Sequence, residues 1–272
     1  MGYGHQPDQK VRRRALLGHA GNGPLHRHGQ VSAYPDPQDA EDALELRALV
    51  RAGKDPAARR EEMLAEIYNA LRILYGQPPK TFDFEYTDTD KVYHCDRGLT
   101  PKNFLEKYVG NDFDDYVVII SSPIHEIDRT YCQPFMGDVV EDNMFWLNLS
   151  QEELEDLTIR QLQAGEGVMF SCDCHPDGDR ANGYWDPDCF QYGEVLGGLT
   201  FHMTKAERLL TRDSTMNHCM MFCGVNLEEN GTANRWKIEN SWGDASGQKG
   251  YFIGSEKWFK ANVYQSRFAR VC

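Results

Sequence analysis

The apolar positions along this chain change their period. Between Asp55 and Gly76, Met63, Leu64, Ile67, Leu71 and Leu74 recur three and four residues apart, which places them on one face of a helix. Asp55-Pro56 supplies an N-cap followed by proline at the first helical position, and Gly76 supplies a stop. Thr100-Pro101 opens a shorter helix through Tyr108. Beyond it the pattern shortens. Tyr116 to Ser121, Asn143 to Leu149 and Gly167 to Ser171 are apolar runs of strand length. Ser150 with Glu153 forms a capping box for a helix ending near Gly165, and Thr204 with Glu207 forms a second box. Helices come first and mixed strands later, which predicts an α+β chain. Three segments follow: a leader over 1–38, a helical part over 39–110 and a strand-rich lobe over 111–272.

The best-defined pattern lies near the C-terminus. His218 to Val225 and Arg235 to Gly243 flank a polar segment containing Asn230-Gly231, the signature of a β-hairpin with a longer loop. A register centred on that loop pairs His218 with Asn240, Met220 with Ile238 and Phe222 with Trp236. Side chains alternate along a strand, so these six share one face; a slip of two residues keeps that face and a slip of one loses it. A lone histidine on an apolar face is ordinarily a satisfied core residue. Here a carboxamide stands beside it. Its oxygen can fix which ring nitrogen carries the proton and leave the other to act as a base or to pair with a thiolate. That is the histidine–asparagine half of a cysteine-peptidase site. After the hairpin, the loop Gly243 to Gly250 leads into a strand from Tyr251 to Ile253.

His218 in its apolar run, Glu239-Asn240-Ser241-Trp242-Gly243 and Lys249-Gly250-Tyr251-Phe252 resemble the papain-like cysteine peptidases. Pro78 to Tyr86, Leu99 to Lys102, Asp114-Asp115-Tyr116, Phe170 to Asp173 and Met203 to Leu209 narrow the resemblance to the bleomycin hydrolase/aminopeptidase C family, from about Asp39 to about Tyr264. The resemblance implies a papain-like fold with histidine and asparagine in the strand-rich lobe. It makes His218 the acid/base, Asn240 its orienter and Trp242 the cover over their hydrogen bond. It also implies peptide N-termini and bleomycin-like amides as substrates, a homo-hexamer, and no cofactor or metal. The family's nucleophile lies upstream in a Gly-x-Cys-Trp element, whereas this chain has no cysteine before Cys95. The expectation is a C-terminal part of the enzyme, inactive alone; a non-catalytic binding or assembly subunit is the alternative. The family's C-terminal tail restricts cleavage to the N-terminus, and this chain diverges from that tail over Gln265 to Cys272.

Charge and composition narrow the setting. A net charge of −13 without a basic stripe argues against nucleic acid and anionic membranes. No apolar run approaches the roughly 20 residues that span a bilayer, and the N-terminus lacks a signal-peptide core. Eight cysteines without export predict reduced thiols in the cytoplasm, where Asn148-Leu149-Ser150 and Asn230-Gly231-Thr232 would go unglycosylated. The leader, with four histidines and scattered Gly and Pro, has the composition of a disordered segment.

Two other clusters invite chemistry. Cys172-Asp173-Cys174-His175 carries zinc-type ligands but lacks a partner pair, so plain buried thiols are expected. The acidic run Asp177 to Asp188 does not match a calcium loop and is expected to be a solvated loop. Among cysteines that might replace the nucleophile, Cys219 and Cys223 alternate away from His218, and Cys95 precedes no helix that would stabilise its thiolate.

Overall fold

The computed structural model describes residues 35–110, 115–133 and 144–270. Two compact units divide between Asn111 and Asp112. In the first, α1 (Pro35–Arg51) and α2 (Ala57–Tyr75) are joined by ion pairs from Arg59 to Glu45 at 2.9 Å and, within α2, to Glu66 at 3.0 Å. Asp55 caps α2 by accepting the Ala57 N–H at 2.9 Å, with Pro56 in the cap position. The predicted apolar stripe is on the helix but is mostly uncovered. Met63 is 3% exposed, whereas Leu64 and Leu74 are 52% and 41% exposed. Helix α1 starts inside the segment expected to be leader; the remainder of that expectation, residues 1–34, falls outside the described residues.

The segment expected to be helical also holds an antiparallel hairpin, β1 (Phe82–Thr87) and β2 (Tyr93–Leu99). Phe82, Phe84 and Tyr86 alternate onto one face of β1, and Phe84 packs on Phe104 and Tyr108 at ring distances of 5.0 and 4.8 Å. These partners come from α3 (Pro101–Phe104), capped by Thr100, and from the π-helical turn Leu105–Val109 that continues it. Aromatic burial thus fixes this hairpin, and the alternation at 82, 84 and 86 was its sequence signal.

The second unit is built on one ten-stranded mixed sheet. Its strands are β3 (Tyr116–Ile120), β4 (Arg129–Gln133), β5 (Met144–Asn148), β6 (Val168–Cys172), β7 (Gly178–Asp179), β8 (Tyr184–Trp185), β9 (His218–Leu227), β10 (Ala233–Glu239), β11 (Tyr251–Ser255) and β12 (Val263–Ala269). They lie in the order β4-β5-β3-β12-β6-β9-β10-β11-β8-β7. Helices α4 (Gln151–Gln163), α5 (Tyr192–Val195), α6 (Lys205–Thr211) and α7 (Glu256–Asn262) complete it, and both predicted capping boxes are formed. The α+β class follows directly from this arrangement. No described helix is long and apolar enough to cross a membrane.

Aromatic packing holds the sheet to α7. Phe170 and Phe222 stack at 3.7 Å, Trp236 stacks on Phe259 at 4.5 Å, and Trp185 lies between Phe252 at 4.5 Å and Trp258 at 5.4 Å. All seven are at most 1% exposed, and each such side chain contributes roughly 1.5–3 kcal/mol by leaving water. This core lies directly behind β9 and β10.

The β9–β10 register differs from the symmetric one. Ile238 faces Phe222 and Glu239 faces Met221, a shift of two residues, while Trp236 faces Val225 across a bulge. The turn causes the shift: it closes at 228–232, with Gly231 N–H bonded to Glu228 O at 2.9 Å and Gly231 at φ +86°. A shift of two preserves side-chain parity. Met220, Phe222, Ile238 and Asn240 are therefore still turned inward, and the bulge keeps Trp236 on the same face.

Candidate active site

His218 opens β9 opposite Cys172, the last residue of β6, and Asn240 follows the end of β10. In the shifted register Asn240 stands diagonal to His218, within the reach of two polar side chains. The His218 Nε2 donates to Asn240 Oδ1 at 2.8 Å. An amide oxygen can only accept, so Nε2 carries a proton and Nδ1 is the nitrogen left for another partner. The same Oδ1 accepts the Ser241 N–H at 2.7 Å, and the Asn240 N–H donates to Gly250 O at 3.0 Å. Asn240 is only 9% exposed, and its Nδ2 has no partner among the described residues. The carboxamide is thus held by its backbone on both sides while it holds the ring.

Trp242 covers the pair. Its indole stacks on His218 with ring centres 5.0 Å apart and an interplanar angle of 26°. The indole is wedged edge-on against Trp185 at 6.1 Å and Phe252 at 5.7 Å. The Arg180 guanidinium sits 4.8 Å from its ring centre, within cation–π range. Arg180 comes from the acidic run expected to be solvated loop, and no local pattern marks it. The 243–250 loop that leads from Trp242 back into the sheet is tight. At Gly247, φ is +56° and a Cβ would lie 2.6 Å from Tyr251 O, so only glycine fits.

The thiols take different positions. Cys219 and Cys223 are exposed and turned away from the ring; Cys219 Sγ lies 3.0 Å from Ser171 Oγ, and Cys223 Sγ donates to Lys237 O at 3.4 Å. Cys172, expected from the sequence only as a buried thiol, is the cross-strand neighbour of His218, a relation that only the β6–β9 pairing discloses. It is fully buried. Burial first, and then Cys174 and Asp173, push its thiol well above the usual range, the opposite of an activated nucleophile. Burial also raises the Cys174 thiol, while His175 is exposed. Among the described residues no cluster of three or more His, Cys, Asp or Glu is placed to hold a metal ion. Cys95 lies on β2 in the first unit, its Sγ 3.8 Å from Glu85 Oε1.

A fixed imidazole with one free nitrogen under an aromatic cover can take up and return a proton out of bulk water. Comparison with known proteins gives the family of the chain. Residues 31–270 match the model of the Peptidase C1-like family, a longer span than the 39–264 read from motifs. Aminopeptidase E of Lactobacillus helveticus is 43% identical over 234 residues, covering 83% of this chain and 52% of the relative. Aminopeptidase G of Lactobacillus delbrueckii subsp. lactis is 42% identical over 246 residues, covering 88% of the chain and 54% of the relative. The crystal structure of PepW from Lactobacillus rhamnosis superposes with a TM-score of 0.82 at 40% identity, covering 89% of this chain and 55% of that one. The chain spans about half the length of these relatives. It belongs to the Peptidase C1-like family, the bleomycin hydrolase/aminopeptidase C branch of the papain-like cysteine peptidases.

Proposed function

We propose that this chain carries the acid/base half of a cysteine aminopeptidase site, with His218 as the proton carrier, Asn240 as its orienter and Trp242 as the cover. The observation that carries the proposal is the 2.8 Å bond from His218 Nε2 to Asn240 Oδ1 beneath the Trp242 ring. The nucleophilic thiolate comes from a segment outside these 272 residues. In support, Cys219 and Cys223 are turned away from His218, and the thiol facing it, Cys172, has a raised pKa.

The chemistry then balances as follows. Nδ1 of His218 accepts the proton of an incoming thiol, and the thiolate adds to the carbonyl carbon of the first peptide bond. Breakage of the C–N bond releases an amine that takes the proton back from Nδ1. Water, deprotonated by the same nitrogen, hydrolyses the thioester and regenerates the thiol. Peptides with a free N-terminus and aminoacyl amides are the substrate class. A homo-oligomeric assembly in the cytoplasm belongs to the same reading.

Alone, the chain should not turn over an aminoacyl amide at an enzymatic rate. Catalytic groups act as a unit, so the lack of a thiolate removes most of the acceleration. The test is co-expression with the N-terminal half of a relative such as aminopeptidase E, assayed on a fluorogenic aminoacyl substrate. Turnover should appear only with both parts and vanish on iodoacetamide treatment or in His218→Ala. Activity that survives His218→Ala would overturn the assignment. No activity from an assembled complex would favour a non-catalytic binding subunit. Iodoacetamide-sensitive turnover by the chain alone would instead mean that one of its own eight cysteines reaches His218.

A further inference from the structure

The polar group behind the histidine has no part in the chemistry above. Asp173, 3% exposed, follows Cys172 and so lies one residue beyond the register partner of His218. Its Oδ1 accepts from Asn217 Nδ2 at 2.6 Å and from the His175 N–H at 3.1 Å. Its Oδ2 accepts from Ser214 Oγ at 2.7 Å, with the Arg208 guanidinium 3.7 Å away. Ser214 Oγ in turn accepts from Tyr264 OH at 2.7 Å, on the central strand β12. The Asn217 carboxamide is held at its other end as well, since Oδ1 accepts the Cys174 N–H at 3.0 Å. Its Nδ2 also lies 3.2 Å from His175 Nδ1.

We infer that Asp173 is a positioning residue for His218, acting through Asn217 to fix where β9 begins. The inference rests on the acid/base reading of His218. The chain reaches β9 from α6 through an irregular stretch that includes Arg212 at φ +60°, and His218 is the first strand residue after it. The backbone bond from Asn217 N–H to Cys172 O at 3.0 Å is where the β6–β9 ladder begins. A first residue without an anchor frays, and a slip of one residue would turn the ring to the opposite face. Asn217 can donate to Asp173 and accept from Cys174 only in the observed register. The carboxylate thus selects the one pairing that aims His218 at Asn240. A buried carboxylate with this many donors is costly to perturb, because each donor it releases is left unpaired.

The test uses the full chain labelled with ¹⁵N, with the histidine ring protons observed by NMR and His218 assigned by its loss in His218→Gln. In the parent protein the His218 ring should show the Nε2–H tautomer with a slowly exchanging proton. Asn240→Ala should abolish that slow exchange, which ties the signal to the hydrogen bond. Asp173→Asn should speed exchange about tenfold or more as the start of β9 opens. Thr158→Ala breaks a buried bond to Leu154 O on α4 and should lower the melting temperature without moving the signal. Should Asp173→Asn not fold, Ser214→Ala, which keeps the charge and removes one donor, is measured in the same way and should speed exchange several-fold. Exchange within twofold of the parent in the folded Asp variant, or in Ser214→Ala in its place, would overturn the inference. An equal response in Thr158→Ala would do so too. The signal reports ring placement whether or not any complex hydrolyses substrate, so failure here is distinct from failure of the peptidase reading.

Discussion

Glu155→Gln should make this protein more stable near neutral pH, because Glu155 is an acid whose charged form folding opposes. Glu155 sits on α4 with its side chain 12% exposed and faces Glu256 on α7, whose Oε2 accepts the Trp236 indole N–H at 2.9 Å. Burial, and then the neighbouring carboxyl of Glu256, push the Glu155 pKa up to about 7, with Lys260 at 3.8 Å opposing. Between an unfolded value near 4.5 and the folded value, the folded chain holds more protons than the unfolded one. Stability from this group is therefore complete below the unfolded value and is lost as pH rises to about 7. At about 1.4 kcal/mol per pKa unit the loss is roughly 3 kcal/mol, with the opposing Lys260 ammonium already included in the folded value. Gln keeps the volume, carries no charge and can donate to Glu256. Urea unfolding followed by tryptophan fluorescence at pH 4.5, 6 and 8 measures the difference between parent and variant, which cancels the other carboxylates. The variant should match the parent at pH 4.5 and exceed it by about 1–3 kcal/mol at pH 8, with an unchanged m value. A variant less stable at pH 8, or a difference that does not vary with pH, would refute the reasoning.

Two further outcomes follow from other groups. Burial, helped by Arg208, lowers the Lys205 amine to about 7 although Nζ donates to Gln151 Oε1 and Val263 O. Above that pH the unfolded chain holds the proton that the folded chain has released, so stability should climb with pH towards the unfolded value of 10.5. Lys205→Met should flatten that climb in unfolding curves at pH 7 to 10, while lowering stability overall by unpairing both acceptors. Trp242→Ala removes the stack on His218 and the contacts with Trp185 and Phe252. It should cost about 2 kcal/mol or more, roughly 5 °C in a thermal melt, and should speed exchange of the His218 Nε2 proton. An unchanged exchange rate would mean that the indole does not keep water from the pair.

The pairing of His218 with Asn240 was legible because parity along a strand survives an error of two in register. The symmetric pairing was wrong about Met220 and Ile238 as direct partners, but it kept every side chain on its correct face. The helix at Ala57–Tyr75 was legible in the same way, from spacing and caps, whereas the burial of its stripe was not, since burial depends on what lies opposite. The central strand β12 was invisible. Its inward positions include Ser266, which is fully buried yet offers no apolar signal, and its neighbours β3 and β6 are far away in sequence. The places of Arg180 and Cys172 beside the site were missed for the same reason. Each lies beside the site only because separate strands meet there.

Among the described residues, the groups that hold His218 fall within residues 172–264. The ring is fixed in-plane by Asn240, from above by Trp242 and at its backbone by the Cys172 pairing. Behind these stand Phe252, Trp185 and the Asp173–Ser214–Tyr264 chain, all of them buried. A group held on three sides loses little entropy when a reactant arrives, which is the condition for efficient proton transfer. The His218–Asn240 pair is held in place before any reactant arrives. A thiolate delivered to Nδ1 in the right geometry should then be sufficient to start the acyl transfer.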